Sequence, residues 1–126
     1  MAANKAIERA VSISFPVPSG VDTGDPVLVG DMPGVAETSR SSDGSATISF
    51  EGAYWLSVLA SDGASPISGV ALKPGDKVYA DGGSTDSGTN VTTGFVIDVD
   101  DSKPLFGYVL DDVASGQTGT VRVRLA

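Results

Sequence analysis

The sequence predicts an all-β fold: a small single-domain β-barrel or β-sandwich of about eight short antiparallel strands. Three observations carry this. Apolar and polar residues alternate over short runs, most clearly in Gly119-Thr-Val-Arg-Val-Arg-Leu-Ala126, the period of a strand with one buried face. Turn-forming residues, including 16 glycines, punctuate these runs at short intervals. No segment sustains a 3.6-residue apolar period long enough for a stable helix; residues 3–10 hold one helical turn at most.

Each element follows from local pattern. Val11, Ile13 and Phe15 alternate with serines and predict a half-buried strand ended by Pro16 and Pro18. Residues 25–30 predict a second strand. Residues 32–35 read as a turn leading into a short extended piece, and 38–44 as a polar loop. Ala46, Ile48 and Phe50 alternate with Thr47 and Ser49, and Glu51-Gly-Ala53 breaks that strand. Residues 54–60, with Trp55, Leu56, Val58 and Leu59, are the most apolar run and read as a buried strand. A loop follows over 61–69. Pro74-Gly75-Asp76 turns into a strand at 77–80, and the Gly/Ser/Thr/Asp-rich 81–90 reads as a mobile loop. Phe95, Ile97 and Val99 form one strand, Asp100-Asp-Ser-Lys-Pro104 a hairpin tip, and Leu105, Gly107 and Val109 the return. The expected organisation is an N-terminal arm, 1–10, and a β domain, 11–126.

Composition narrows the chemistry. The 126 residues suffice for one domain with its own core. There is no Cys, hence no disulfide and no thiolate nucleophile or ligand. There is no His, the usual general base and metal ligand. Sixteen acidic residues against eight basic ones give a net charge of −8, opposite to the basic patch of a nucleic-acid binder. Such acidity suits solubility at high concentration, or a basic partner surface. No apolar run approaches the ~18 residues of a membrane span. The first ten residues lack the apolar core of a signal peptide, so synthesis in the cytoplasm is expected.

Few side chains invite a site. Asp98, Asp100 and Asp101 with Ser102 offer oxygen donors to a hard cation, but the loop lacks the Gly and closing Glu of a Ca²⁺-binding hand. Asp side chains that cap free N–H groups of a hairpin turn account for it, and for Asp111 and Asp112. No Gly-x-Ser-x-Gly elbow exists, and the Gly-rich stretches lack the Lys of a phosphate loop. An enzyme is not expected, and no cofactor or metal is implied. Tyr54 and Trp55 are adjacent and face opposite sides of a strand, so one is left for the surface. Arg122 and Arg124 share a strand face, where they pair with acids on the neighbouring strand or with a partner's carboxylate. Residues 1–10 carry Lys5, Glu8 and Arg9, a small positive excess on an acidic chain.

Four motifs occur in order: Thr23-Gly-Asp-Pro-Val-Leu-Val-Gly30, a Gly-Val-Ala step, Lys73-Pro-Gly-Asp-Lys-Val-Tyr79, and Gly107-Tyr-Val with the closing Val121-Arg-Val-Arg-Leu125. Together they resemble the small capsid decoration, or cement, proteins of tailed bacteriophages, over nearly the whole chain. The resemblance implies a β-structured, β-tulip-like protein, made in the host cytoplasm, that binds the outer surface of the expanded head and reinforces it without catalysis. It implies the major capsid protein as partner and a homotrimer at threefold or quasi-threefold positions. Exposure arguments, not a family motif, nominate Lys5, Ile7, Arg9, Trp55, Arg122 and Arg124 as capsid or subunit contacts. An arm such as 1–10 is expected to lie along the lattice as an added strand or strap. The alternative is a β-structured surface or tail-appendage module, possibly carbohydrate-binding, for which the Ser/Thr/Gly-rich loops and the single Trp speak. The scarcity of aromatic residues and the missing secretion signal speak against it.

Overall fold

The structure, a computed structural model, describes residues 12–61 and 69–126. Among these, nine strands form: β1 (Ser12–Pro16), β2 (Pro26–Val29), β3 (Met32–Ala36), β4 (Ser45–Ser49), β5 (Ala53–Leu59), β6 (Lys77–Asp86), β7 (Val91–Asp98), β8 (Leu105–Val109) and β9 (Thr118–Leu125). They join in one sheet in the order β1-β4-β3-β2-β7-β5-β9-β8-β6, and β6 pairs back onto β7. Strands β7-β5-β9-β8-β6 thereby close a five-stranded barrel, and β2, β3, β4 and β1 extend from it as an antiparallel sheet. The expected all-β barrel is present.

The β6–β7 hairpin connects the two parts. Its base, Tyr79–Asp81 against Val96–Asp98, belongs to the barrel; its outer half pairs Ser84, Thr85 and Asp86 with Thr93, Thr92 and Val91. In that outer half Val91 and Thr92 also pair with Val29 and Leu28 of β2. Between the halves sit Gly82, Gly83 and Gly94 at φ 81°, 79° and 72°, a backbone region costly for other residues. A Cβ on Gly83 would meet the Thr93 carbonyl oxygen at 2.6 Å. Thr85 and Thr92 share a hydroxyl hydrogen bond of 2.6 Å, and Asp86 closes the tip by accepting from the Thr89 amide (3.0 Å) and hydroxyl (2.8 Å). The stretch 81–90, expected to be a mobile loop, is therefore mostly strand. Its glycines bend a ladder rather than interrupt it.

Two apolar cores follow from strand alternation. Leu56, Val58, Val78, Ile97, Phe106, Val109 and Val123 fill the barrel, where the Phe95 and Phe106 rings lie 5.6 Å apart. Val17, Val21, Val27, Ala46, Ile48 and Val91 form a second cluster on the extension. Successive residues of β2 and β3 serve both: Leu28 and Val35 face the barrel cluster, Val27 and Ala36 the other. The ladder between these two strands is set by the two-residue turn Gly30-Asp31, with Gly30 at φ 62°.

Three further expectations are corrected. Residues 32–35, expected as a turn leading into a short extended piece, lie within β3. The strands are not all antiparallel, because β5 and β7 meet in parallel at Val58 and Ile97. β5 is not a buried strand: Leu56 and Val58 are buried, while Trp55 and Ser57 face outward. The barrel has a core on one side of this strand only.

Gly107 on β8 allows the close approach of β9, since a Cβ there would lie 2.2 Å from the Arg124 carbonyl oxygen. Gly107→Ala is expected to cost about 2 kcal/mol or more, because backbone has to move to admit the methyl group. Chemical denaturation reads this as a lower midpoint at unchanged slope; an unchanged midpoint contradicts the packing described.

Candidate functional site

The outer wall formed by β5, β9 and the end of β7 carries the most distinctive surface. Along β5, Tyr54, Leu56 and Val58 point inward, which sends Trp55 outward, and Trp55 is 66% exposed. The ladder places Arg122 of β9 directly opposite it and Arg124 opposite Ala53. The Arg122 guanidinium carbon lies 5.9 Å from the Trp55 ring centroid, within cation–π range.

Arg122 is held from a third strand end. Its Nε donates to Asp111 Oδ2 at 3.1 Å and its Nη2 to Oδ1 at 2.8 Å, while its backbone N–H donates to Oδ2 at 3.0 Å. These bonds to the Arg122 side chain and backbone bring the Asp111 carboxyl down to about 2, so the clasp stays ionised throughout the physiological range. Of the two roles open to the arginines, Arg122 takes pairing within the chain. Arg124 is exposed and makes no ion pair among the described residues. Lys5, Ile7 and Arg9 lie outside the described residues.

Farther along the wall, Val96 of β7 is 49% exposed. Ser57, Leu59, Val96 and Thr118 line a shallow groove where β5 and β7 meet through their single parallel pair. The wall thus combines an exposed indole, a shallow groove, one guanidinium in an ion pair and one without an ion pair among the described residues. Such a surface suits protein contact, where aromatic and Arg anchors dominate. A second apolar surface lies on the extension, where Ile13, Phe15, Met32, Pro33 and Phe50 line an open cleft next to Asp31.

The acidic cluster at the β7–β8 turn arranges itself differently from a cation site. Asp98 Oδ1 accepts the Asp100 N–H at 3.0 Å, and Asp100 Oδ1 accepts from the Ser102 N–H (3.0 Å) and hydroxyl (2.6 Å). Asp101 is exposed, and among the described residues no group of three acids is set to hold a metal ion. Asp98, which strict alternation assigns to the surface, is only 1% exposed. Burial first, then a hydrogen bond and charge from Asp81, push its carboxyl up to about 7, while the Asp100 amide opposes the rise. Lys103 Nζ stands 3.8 Å from the Asp81 carboxylate.

The folded protein consequently holds a proton at Asp98 that the unfolded chain releases near its ordinary value of 3.8. This group costs stability progressively as pH rises from about 4 to about 7. Asp98→Asn keeps the acceptor for Asp100 and supplies a permanent donor to Asp81. Its stability is expected to fall less over that window, with a gain on the order of a few kcal/mol above pH 7. Thermal or urea unfolding at a series of pH values checks this; parallel stability curves for the two proteins contradict it.

No curated protein and no solved structure matches the chain. A family model described as phage cement protein matches residues 7–125. The matched region takes in every strand of the barrel and of its extension. The chain therefore belongs to the phage cement protein family.

Proposed function

We propose that this protein binds the outer surface of the expanded major capsid lattice and stabilises the head, acting as a structural element with no chemistry of its own. The observation that carries the proposal is the family match over residues 7–125. The physical features agree with it. A closed barrel resists opening because it has no free edge among its own strands. A net charge of −8 keeps a highly abundant protein soluble and complements a basic partner surface.

The mechanism is linkage. A protein that binds the expanded shell and not its precursor stabilises the expanded state by the difference in affinity. Each site needs only a modest interface, of about 1,600 Å² in total. A homotrimer at threefold or quasi-threefold positions would tie several capsid subunits together and gain by effective concentration. In this reading Trp55 and Arg124 meet the capsid, with Arg122 holding the indole in place. Lys5, Ile7 and Arg9 belong to the assembly contacts as well. The exposed Trp55 also favours one second reading, stacking on a sugar ring, although Arg122 already lies over one face of it.

Co-sedimentation with expanded and precursor shells tests the proposal. The protein is expected to pellet with expanded shells only. Trp55→Ala is expected to weaken that binding roughly ten-fold or more, as loss of a central aromatic anchor does. Because Trp55 is outside both cores, its unfolding midpoint should stay within about 0.5 kcal/mol of the parent. Equal binding to both shells, or to neither, contradicts the proposal; retention on glycan arrays with no shell binding favours the sugar reading.

A further inference from the structure

The wall that carries Trp55 continues across β9 onto β8 and β6. The ladders align Ala53, Arg124, Tyr108 and Lys77 in one row across four strands. Arg124 and Lys77 are exposed and Tyr108 is half-buried; Trp55 follows Ala53 by two residues on the outer face of β5. Neighbouring strands lie about 4.8 Å apart, so the two cations of the row stand roughly 10 Å from each other with the tyrosine between them.

Charge is spread unevenly over the molecule. The chain has 16 acidic residues, yet β5, β8 and β9 contain none. The described basic side chains divide in the same way. Arg122 and Lys103 pair with acids, and Arg40 Nε donates to the Val17 carbonyl at 3.0 Å. Lys73, Lys77 and Arg124 have no ion pair among the described residues. Lys73 and Lys77 bracket a turn that docks on β8, where the Gly75 amide donates to the Val109 carbonyl at 2.8 Å. Asp76 and Asp101 border Lys77 in a shallow groove, yet neither pairs with it, and Asp76 accepts the Lys73 amide at 2.9 Å.

Arg122 and Arg124 share a face of β9 but differ in what meets them. Arg122 donates to both oxygens of Asp111. The neighbours of Arg124 across the ladders are Ala53 and Tyr108, neither of which supplies a carboxylate. Arg124 therefore has the planar donor fork without the acceptor that the fork fits. Trp, Tyr and Arg are also the residue types that dominate protein contacts. Nucleic acid fits less well, because the acids elsewhere on the chain repel a long run of phosphates.

We propose that Lys77, Tyr108 and Arg124, together with Trp55, form the docking face for an acidic segment of the major capsid protein. Its carboxylates complete at Arg124 and Lys77 the pairing that Asp111 makes at Arg122. This rests on the capsid-binding reading and gives the contact its chemistry. The acidic faces of the chain act at longer range, where salt screens them beyond about 8 Å; at contact the wall has the opposite sign.

Co-sedimentation with expanded shells, run on two full-length variants, tests this. Lys77→Glu with Arg124→Glu is expected to bind roughly 100-fold more weakly, since like charges then face each other. Asp31→Lys with Glu37→Lys, on the extension, is expected to stay within about three-fold of the parent. On the unaltered chain, a water-soluble carbodiimide, which joins amines directly to carboxylates, is expected to link Lys77 to a capsid Asp or Glu, identified by mass spectrometry. Parent-like binding by the Lys77/Arg124 variant, or weakened binding by the Asp31/Glu37 variant alone, overturns the proposal and leaves the cement reading standing. So does the lack of any link from Lys77 to a capsid acid on shells that have bound the protein. A parent chain that binds no shell overturns both.

Discussion

The bend at Gly82, Gly83 and Gly94 is the constraint on which the rest of the molecule depends. The paired strands β6 and β7 each run between the barrel and the extension of the same sheet, and the ladder passes from one part to the other where three glycines take positive φ. One hairpin consequently does two jobs. Its base completes the barrel by pairing with β8 and, at one position, β5; its outer half anchors the four-stranded extension through β2. The two apolar clusters exist because β2 and β3 leave that junction with both faces covered. At Gly83 a side chain would also collide with the Thr93 carbonyl oxygen, whereas Gly82 and Gly94 face open space and only their positive φ favours glycine.

Barrel closure also determines which surfaces are left for contact. Filling the barrel fixes the parity of β5, and that parity exposes Trp55 rather than Tyr54. The same ladder puts Arg122 over the indole, and Asp111 holds the guanidinium there. The wall is preorganised, which lowers the entropy lost when a partner covers it. The extension is the opposite case. Its sheet ends at β1, whose outer edge has no strand beside it among the described residues, next to an open apolar cleft.

Much of the fold was legible in the sequence where one face of a strand is buried. The alternations in β4 and β9 gave both their extent and their facing. Legibility failed where composition has two meanings. Gly, Ser, Thr and Asp over 81–90 mark a loop in most chains, but here they supply a bent ladder with a short tip. Pairings of one or two residues, such as Val58 with Ile97, leave no pattern to read. For Trp55, a signal was present: 54, 56 and 58 are Tyr, Leu and Val, while 55 and 57 are Trp and Ser, so the more apolar row had to face in. The choice of Asp111 for Arg122 depends on strand order, and the burial of Asp98 on how its turn is stabilised, neither of which periodicity encodes.

The most direct test of the central claim is the number of copies in purified virions of the source phage, measured by quantitative mass spectrometry against the major capsid protein. A protein that reinforces the whole lattice should be present at about one copy per capsid subunit, the ratio a trimer on every threefold and quasi-threefold position would give. A few copies per particle, or none, would contradict a lattice-wide cement.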